Sequence, residues 1–305
     1  MTNQAIVVIG STNTDMVIKT AKLPKPGETI LGGDFLMNPG GKGANQAVAA
    51  ARLNGNVTLV AKTGEDVFGS QAKSLFLAEN LNTDYLFSDP AIPSGIALIT
   101  VDDHAENCIV VAPGANARLS VEDIDQAAAA ILNAEIVLMQ LEIPLETVIY
   151  AAGIAFKAGK KVILNPAPAQ KLPAGLIKML FMITPNETEA ELLTGVQVID
   201  LKSAENAARI LLSQGVEVVV LTLGSKGALL VTGNSCELIP GYQVEAVDTT
   251  AAGDCFNGAL VVALAEGAGL VKAIAFANKA ASISVTRMGA QASAPYRHEV
   301  DLMND

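Results

Sequence analysis

Residues 135 to 165, EIVLMQLEIPLETVIYAAGIAFKAGKKVILN, alternate between two kinds of pattern. The apolar runs at 135 to 140 and 161 to 165 are short and rich in Ile, Val and Leu, as buried strands are. Between them, residues 145 to 158 follow a helical pattern. Strands separated by a covering helix are typical of a parallel sheet, so this stretch predicts an α/β protein.

The same alternation extends in both directions from this stretch. Further apolar runs lie at 5 to 10, 57 to 61, 181 to 184 and 216 to 224. Further helical patterns lie at 43 to 53, 68 to 79, 121 to 133, 202 to 214, 252 to 266 and 270 to 286. We therefore predict a three-layer, Rossmann-like α/β fold, in which a mostly parallel sheet carries helices on both faces.

Two segments interrupt the alternation. Residues 14 to 37 and 94 to 111 each predict a strand, a turn rich in Pro, Gly or Asp, and a second strand. If they pair, they form a small antiparallel sheet that could cover a site at the carboxyl ends of the parallel strands. Two surface hairpins without function are an equal alternative. Because no linker or repeat divides the sequence, we predict one domain over residues 1 to 305 that includes both segments.

The overall composition restricts the class of protein. Of 305 residues, 50% are hydrophobic and 17% are charged, which predicts a globular protein rather than a disordered one. A net charge of -11 argues against broad nucleic-acid or membrane surfaces, because both partners are polyanions. No apolar stretch is long enough to span a bilayer, and the start MTNQAIVVIG lacks the features of a signal peptide. Together with three widely spaced cysteines, these features predict a cytoplasmic protein.

The segment DTTAAGD, residues 248 to 254, carries the strongest chemical signal. Its small residues allow the backbone to approach a ligand closely, and a helical pattern begins near Ala252, where unpaired N–H groups can receive an anion. Beside such an anion, Asp254 is suited to removing a proton from a hydroxyl that attacks it. The alternative is an ordinary capped helix start.

DTTAAGD resembles the signature D-T-x-G-A-G-D of the ribokinase-type carbohydrate kinases, with Ala251 in place of the first Gly. The resemblance extends over essentially the whole chain and implies a ribokinase-like fold, an α/β core with a β lid made by the two strand-turn-strand segments. It implies transfer of the γ-phosphoryl group of ATP to the 5-hydroxyl of D-ribose. Asp254 would be the catalytic base, and the amides of Ala251, Ala252, Gly253 and Asp254 would stabilise the transferring group.

Residues 38 to 47, NPGGKGANQA, resemble the sugar-binding motif of the same family, a Gly-rich turn that opens a helix. They are not a P-loop, because the G-x-x-x-x-G-K-[ST] spacing is absent. Carboxylates that bind neighbouring hydroxyls discriminate well, since the wrong sugar leaves a buried acceptor unpaired. Without the resemblance, each acidic residue would be assigned to a solvated strand end or a helix cap. The resemblance implies sugar contacts from Gly41, Lys42, Gly43, Asn45, Asn13, Asp15, Glu142 and Asp254.

The nucleotide side is marked by TPNETE, residues 184 to 189, which resembles the N-x-x-E motif of the family. The resemblance implies that Asn186 lies near the phosphates and that Glu189 organises the water shell of Mg²⁺, an ion that retains several waters. As a bare pattern, the same segment is an ordinary helix start with acidic residues in its first turn. The other residues that the resemblance places at ATP are Thr222, Gly224, Ser225, Gly227, Gly253 and Asn278.

A monovalent-cation site is also implied by the resemblance. The segments that would form it precede the phosphate-binding turn and follow the last long helix, and most of their residues would offer backbone carbonyls. Cages rich in carbonyl oxygens suit a large, weakly hydrated ion such as K⁺. Alternatively, Arg287 contacts phosphate or adenine, or the second segment is a helix C-terminal turn ending at Gly289. The implied ligands are Asp248, Thr250, Ser284, Arg287, Gly289 and Ser293.

The resemblance also implies a homodimer formed through the lid. Three alternatives compete with the prediction of a ribose-phosphorylating enzyme. An NAD-dependent oxidoreductase is disfavoured, because GSTNTD, residues 10 to 15, lacks the three-Gly fingerprint. A non-catalytic sugar-binding protein has no use for Gly253, Asp254 and Glu189. Within the family, fructokinase, adenosine kinase and deoxyribokinase are the alternatives. A purine nucleoside favours an aromatic pocket, whereas this chain has no Trp and only 4% aromatic residues.

Overall fold

The computed structural model describes residues 4–104 and 106–303. Outside the described residues lie the two ends of the predicted domain, 1–3 and 304–305, and residue 105 of the 94 to 111 segment. The elements in chain order are β1 (Ala5–Ile9), β2 (Asn13–Lys19), β3 (Phe35–Gly40), α1 (Lys42–Arg52), β4 (Asn56–Gly64), α2 (Val67–Ala78), β5 (Asn82–Asp89), β6 (Gly95–Val101), β7 (Asn107–Ala112), α3 (Val121–Asn133), β8 (Ile136–Met139), α4 (Leu145–Lys157), β9 (Lys161–Leu164), α5 (Ala174–Ile177), β10 (Met182–Ile183), α6 (Glu187–Thr194), α7 (Leu201–Ser213), β11 (Val218–Thr222), β12 (Gly227–Thr232), β13 (Cys236–Pro240), α8 (Ala252–Ala265), α9 (Leu270–Ser284) and α10 (Arg297–Leu302).

The larger sheet is covered on both faces. Its strand order is β13-β12-β11-β10-β9-β8-β1-β4-β5, parallel from β11 to β5, with β12 and β13 added antiparallel. In β1, Ile6 and Val8 pack into one hydrophobic cluster, with α1, α8 and α9, while Val7 and Ile9 pack into another, with α3, α4 and α7. Successive strand residues point to opposite faces, so this division places helices on each side. The predicted fold class is confirmed.

The predicted helices begin and end within two residues of the observed ones. Among the elements that were not predicted is β5, an edge strand whose residues are at most partly buried and whose apolar residues, Tyr85, Leu86 and Phe87, form no long run. In the part of the chain that the structure describes, no helix combines the length and hydropathy that a membrane crossing requires.

The two segments that interrupt the alternation pair with each other. They form a separate sheet in the order β3-β2-β6-β7. Each segment is an antiparallel hairpin, as expected, but the two hairpins meet through a parallel pair, β2 with β6. The small sheet is therefore mixed and not purely antiparallel as predicted. The first strand of each hairpin, β2 or β6, lies at the centre of the sheet, and the second strand, β3 or β7, lies at an edge.

The parallel strands deliver several polar residues to one edge of the larger sheet. Ser11 and Asn13 follow β1, residues 140–142 follow β8, Asn165 follows β9, and residues 184–186 follow β10. The carboxyl ends of neighbouring parallel strands meet at the same edge, where open α/β sheets bind ligands. The small sheet leaves the larger sheet at this edge, since β2 follows directly on β1.

Candidate active site

The first turn of α8 has the geometry of an anion site. Ala251 lies just before it with φ 59° and ψ 15°, the left-handed region. This conformation costs a non-glycine residue about 1–2 kcal/mol, which explains why the family signature has Gly at this position. The N–H groups of Gly253 and Asp254 have no acceptor within the helix, because first-turn amides precede its hydrogen-bond ladder. The N–H of Ala252 instead donates to the carbonyl of Thr249 at 3.2 Å. Of the four amides predicted to stabilise the transferring group, those of Ala251 to Asp254, the amide of Ala252 is therefore already engaged.

The Asp254 carboxylate is buried between two amides. Its Oδ2 accepts a hydrogen bond from Asn45 Nδ2 at 2.9 Å, and its Oδ1 accepts one from Gln46 Nε2 at 2.9 Å. Burial raises the pKa of Asp254, and the Lys42 ammonium and these two amides partly offset that rise. A base with these surroundings is held in one orientation and binds a proton more readily than an exposed aspartate.

Lys42 lies among four carboxylates. Burial alone would lower the pKa of this ammonium, but Asp254, Glu142, Glu189 and Asp15 together raise it above its usual value. Lys42 therefore keeps its charge, and it also lines the large cavity beside Asp254. It lies between the residues predicted for sugar and those predicted for nucleotide.

The Glu142 carboxylate contacts the first turn of α1. Its Oε2 accepts the backbone N–H of Lys42 at 3.0 Å and the hydroxyl of Ser11 at 2.6 Å. The carboxylate thus binds a first-turn N–H, where the helix dipole favours a negative charge. Its Oε1 accepts no hydrogen bond among the described residues, so it is free to accept one from a ligand.

Asp15 is the least compensated of these carboxylates. It is partly buried, and within residues 4–104 and 106–303 it accepts no hydrogen bond. Burial, reinforced by the charges of Glu142 and Asp254, raises the pKa of Asp15 to about 6. A Cβ on Gly40 would lie 2.3–2.4 Å from this carboxylate, so only glycine leaves space there.

Asn116, which the sequence analysis did not identify, fixes the orientation of Asn13. The N–H of Thr12 donates to Asn116 Oδ1 at 2.9 Å, so Asn116 Nδ2 must face the Thr12 carbonyl at 3.0 Å and Asn13 Oδ1 at 2.8 Å. Because Asn13 Oδ1 is engaged, its Nδ2 is the atom left to bind a ligand. A single buried amide in a short 3₁₀ helix, here Gly114–Arg118, has no pattern in the sequence that would predict this role.

The Gly-rich turn before α1 packs directly against β1 and β2. Gly41 has φ 89°, and a Cβ on Gly41 or Gly43 would lie within 2.7 Å of backbone atoms of residues 10–13. This packing places Asn45 next to Asp254, with its Oδ1 buried and unpartnered among the described residues. An unpaired buried acceptor is costly unless a ligand satisfies it.

A cavity of about 480 Å³ opens on the other side of Asp254. Every residue predicted for ATP lines it, together with Lys42 and Ala251 to Asp254. Its apolar wall was not predicted from the sequence, and it includes residues from the segment 241–246, which follows β13. The predicted nucleotide residues in the wall are Asn186, Glu189, Thr222, Gly224, Ser225, Gly227, Gly253 and Asn278, and the unpredicted ones include Tyr242, Val244, Phe256, Ala281 and Val285.

Three residues of this cavity also have structural contacts. Asn186 and Glu189 form a capping box at the start of α6, with bonds of 2.8 and 2.9 Å. Burial raises the pKa of Glu189, assisted by the charge of Asp254 and opposed by the Asn186 N–H and Lys42. Asn278 Nδ2 donates to the carbonyls of Ile239 and Pro240, both at 3.1 Å, which leaves its Oδ1 as the available atom.

The two segments predicted for a monovalent cation are joined directly. Asp248 accepts the N–H of Gly289 through Oδ2 and that of Thr250 through Oδ1, both at 2.9 Å. Although burial opposes it, these hydrogen bonds lower the pKa of Asp248. Ser284 and Ser293 donate their hydroxyls to nearby carbonyls at 2.9 and 2.8 Å, and Arg287 pairs with Glu299 rather than facing the cavity.

Comparison with known proteins assigns the family. Residues 3–297 match the profile of the pfkB family carbohydrate kinases. The chain is 47% identical to the ribokinase of Haemophilus influenzae over 296 residues, 97% of each chain. It is 40% identical to the deoxyribokinase of Salmonella typhimurium over 291 residues, 95% of each chain. Its fold matches the structure of Arabidopsis thaliana ribokinase complexed with ribose and ATP, with a TM-score of 0.92, 34% identity and 98% coverage of each chain. This chain belongs to the pfkB family of carbohydrate kinases.

Proposed function

We propose that this carbohydrate kinase transfers the γ-phosphoryl group of ATP to the 5-hydroxyl of D-ribose, giving D-ribose 5-phosphate. The position of Asp254 carries the proposal. Its carboxylate binds two side chains of α1, the helix that opens at the proposed sugar site, and its own helix begins at the cavity proposed for ATP. A base at this junction lies between the attacking hydroxyl and the phosphoryl group.

The polar atoms without partners at the sugar end support a polyol substrate. Among the described residues, they include three acceptors, the Asp15 carboxylate, Glu142 Oε1 and Asn45 Oδ1, and one donor, Asn13 Nδ2. A hydroxyl both donates and accepts, so neighbouring hydroxyls can satisfy this mixed set. A sugar that lacks one of them leaves a buried group unpaired, at a cost of about 1–3 kcal/mol.

In the proposed reaction, Asp254 takes the proton of the 5-hydroxyl as the hydroxyl oxygen attacks the γ-phosphorus, and the bond between the γ-phosphorus and the β,γ-bridging oxygen breaks to release ADP. The amides of Ala251, Gly253 and Asp254 stabilise the negative charge on the transferring group. Lys42 adds a positive charge near the same point, and the four surrounding carboxylates keep it protonated. The small sheet acts as a lid that excludes water while the hydroxyl is activated.

Two metal ions belong to this proposal. Glu189 faces the cavity with one carboxylate oxygen free of the capping box, which fits a role in holding the water shell of Mg²⁺, and that ion would neutralise phosphate charge. Asp248 already bridges the two segments proposed to hold K⁺. The hydroxyl groups of Ser284 and Ser293 act as hydrogen-bond donors, so the lone pairs of their oxygens remain available to the ion. This oxygen set suits a weakly hydrated monovalent ion.

A coupled ATP-consumption assay across ribose, 2-deoxyribose, fructose, other sugars and adenosine tests the proposal, with the product identified by phosphorus NMR. We expect ribose to give the highest kcat/KM and a 5-phosphate ester. Deoxyribokinase is the second candidate, because a relative of that name is 40% identical to this chain. A kcat/KM for 2-deoxyribose equal to or above that for ribose would favour it, and no turnover with any pentose would reject both.

We also propose a cytoplasmic location, where ATP is available. In addition, we propose a homodimer formed through the small sheet. Large apolar side chains of this sheet are about half exposed, including Met37 at 52%, Leu98 at 50% and Val110 at 62%. These three lie in one row across the sheet, since Met16, between Met37 and Leu98, pairs with both, and Leu98 pairs with Val110. An exposed apolar row of this kind is typical of an interaction surface.

A further inference from the structure

We infer that Gln46 is a positioning residue for the proposed base: its side-chain amide orients the Asp254 carboxylate and joins it to the turn that would hold the phosphoryl group. The inference rests on the proposed function of Asp254. Gln46 belongs to the motif at residues 38–47, and the sequence analysis gave it no role. It is fully buried, with a relative exposure of 0%, so it does not contact solvent.

The partners of Gln46 fix the direction in which its amide points. Its Nε2 donates to Asp254 Oδ1 at 2.9 Å and to Asn165 Oδ1 at 3.0 Å. Its Oε1 accepts from Gln140 Nε2 at 2.5 Å. An ionised carboxylate can only accept, so the amide cannot be reversed without placing two oxygens face to face. Both Gln46 donors and its acceptor are therefore used, and the side chain is held in one orientation.

The hydrogen bonds continue from Gln46 to the phosphoryl-binding turn. Asn165 Nδ2 donates to the carbonyl of Thr184 at 3.2 Å, and Thr184 Oγ1 donates to Asn257 Oδ1 at 2.7 Å. Asn257 Nδ2 then donates to the carbonyl of Gly253 at 2.8 Å. Gly253 precedes Asp254 in the chain, so the network closes into a ring. The base and the turn beside it are thus held by the same buried network, and a change at Gln46 reaches both.

This arrangement also bears on the protonation of Asp254. The charged groups that face it from neighbouring elements are Lys42, Glu142, Glu189 and Asp15, of which only Lys42 is positive. Hydrogen bonds donated to a carboxylate favour its ionised form, and such charge-assisted bonds are roughly twice as strong as neutral ones. Without Gln46, the buried carboxylate retains one amide donor instead of two. The protonated form, which cannot act as a base, then persists to higher pH.

The test is the pH dependence of kcat at saturating ribose and ATP, which reports ionisation in the bound complex. Gln46→Glu keeps the shape of the side chain but places a second carboxylate beside Asp254, and Gln46→Met removes the amide. We expect the acidic limb of the kcat profile to move to higher pH by about 1 or more in Gln46→Glu, as occurs when two carboxylates share a site. Below that limb, kcat should fall about tenfold, since the ionised fraction of a mostly protonated base falls tenfold when its pKa rises by about 1.

Thr147→Val is the matched control. Thr147 is also fully buried, and its hydroxyl donates to the Leu119 carbonyl at 2.7 Å, away from the cavity. The control should lower the free energy of unfolding without moving the pH profile. An unmoved limb in Gln46→Glu, in an enzyme that Asp254→Asn inactivates, overturns the role of Gln46. Normal turnover of Asp254→Asn would instead overturn the proposed base. Because Gln46→Glu preserves size and polarity, the test stands even if Gln46→Met does not fold.

Discussion

Asn116 Nδ2 lies 2.8 Å from Asn13 Oδ1 and donates a hydrogen bond to it, although 103 positions separate the two residues in the sequence. This contact turns the Asn13 amide so that its Nδ2 is free for a ligand. Asn116→Asp keeps the acceptor for the Thr12 N–H but opposes Asn13 Oδ1 with another oxygen. We expect the KM for ribose to rise about tenfold, equivalent to about 1.4 kcal/mol of lost binding, with kcat changed little. An unchanged KM in steady-state kinetics would contradict the orienting role.

Asp254→Asn tests the base itself. The substitution keeps the size of the side chain but removes its ability to take a proton, so kcat should fall by a factor of about 10² or more. Ribose binding, measured by calorimetry in the absence of ATP, should change much less, because the carboxylate acts mainly during the chemical step. Near-normal turnover would refute the assignment.

Asp15 predicts a stability change with a defined pH dependence. Its pKa of about 6 in the folded protein exceeds the ordinary aspartate value of 3.8, so the folded state binds the proton more tightly than the unfolded state. This group therefore lowers stability as pH rises from about 4 to about 6, and its full cost is present above that window. Asp15→Asn removes the charge. We expect it to increase the free energy of unfolding by about 3 kcal/mol near pH 8, and by about half as much near pH 5.

Urea denaturation at both pH values measures this difference. The exposed Asp34 provides the control, since Asp34→Asn should change stability little at either pH. The stabilised Asp15→Asn variant should also bind ribose more weakly, because the carboxylate that we propose to accept hydrogen bonds from two hydroxyls is replaced by an amide. A gain in stability of equal size at both pH values would contradict the pKa-based explanation.

Potassium should raise activity at fixed ionic strength, and sodium should do so less. By holding the two segments that Asp248 joins, the ion would orient the amides of the phosphoryl-binding turn. Asp248→Ala should weaken the response, while Asp84→Ala, at an exposed position on β5, should preserve it. Equal rates in potassium and tetramethylammonium chloride would remove the hypothesis.

Sedimentation equilibrium tests the dimer at micromolar concentration. Ile109 and Val110 are neighbours on β7 that point to opposite faces of the small sheet, and both are more than half exposed, at 52% and 62%. If two small sheets pack face to face, a charge on the packed face prevents association, whereas a charge on the other face does not. Because Val110 lies in the exposed row with Met37 and Leu98, we expect Val110→Glu to be a monomer and Ile109→Glu to remain a dimer. A fully active monomeric wild type would contradict the proposal.

The sequence was sufficient to predict the large sheet, because buried parallel strands leave short apolar runs and the helices between them have a distinct period. The polar wall residues of the cavity proposed for ATP could be predicted only through the family motifs. The part that could not be predicted is the set of buried amides, Asn116, Gln46, Gln140, Asn165 and Asn257. Their roles depend on contacts between segments up to 208 residues apart, and single polar residues within apolar segments have no periodic signal.

The pairing of Asn13 places one sugar-site residue at the point of attachment of the small sheet. Asn13 pairs with Gly40 on one side and with Gly95 on the other, and Ile96 next to Gly95 pairs with Ala112, so all four strands join the rest of the chain along one line. A tilt about that line moves each residue in proportion to its distance from it. At about 3.3 Å per residue, a tilt of about 20° displaces Asp15 by about 2 Å and Lys19 by about 7 Å. Such a tilt would open the far end of the small sheet by several ångströms and leave Asn13 in place, while Asp15 would come into hydrogen-bonding position only when the sheet closes.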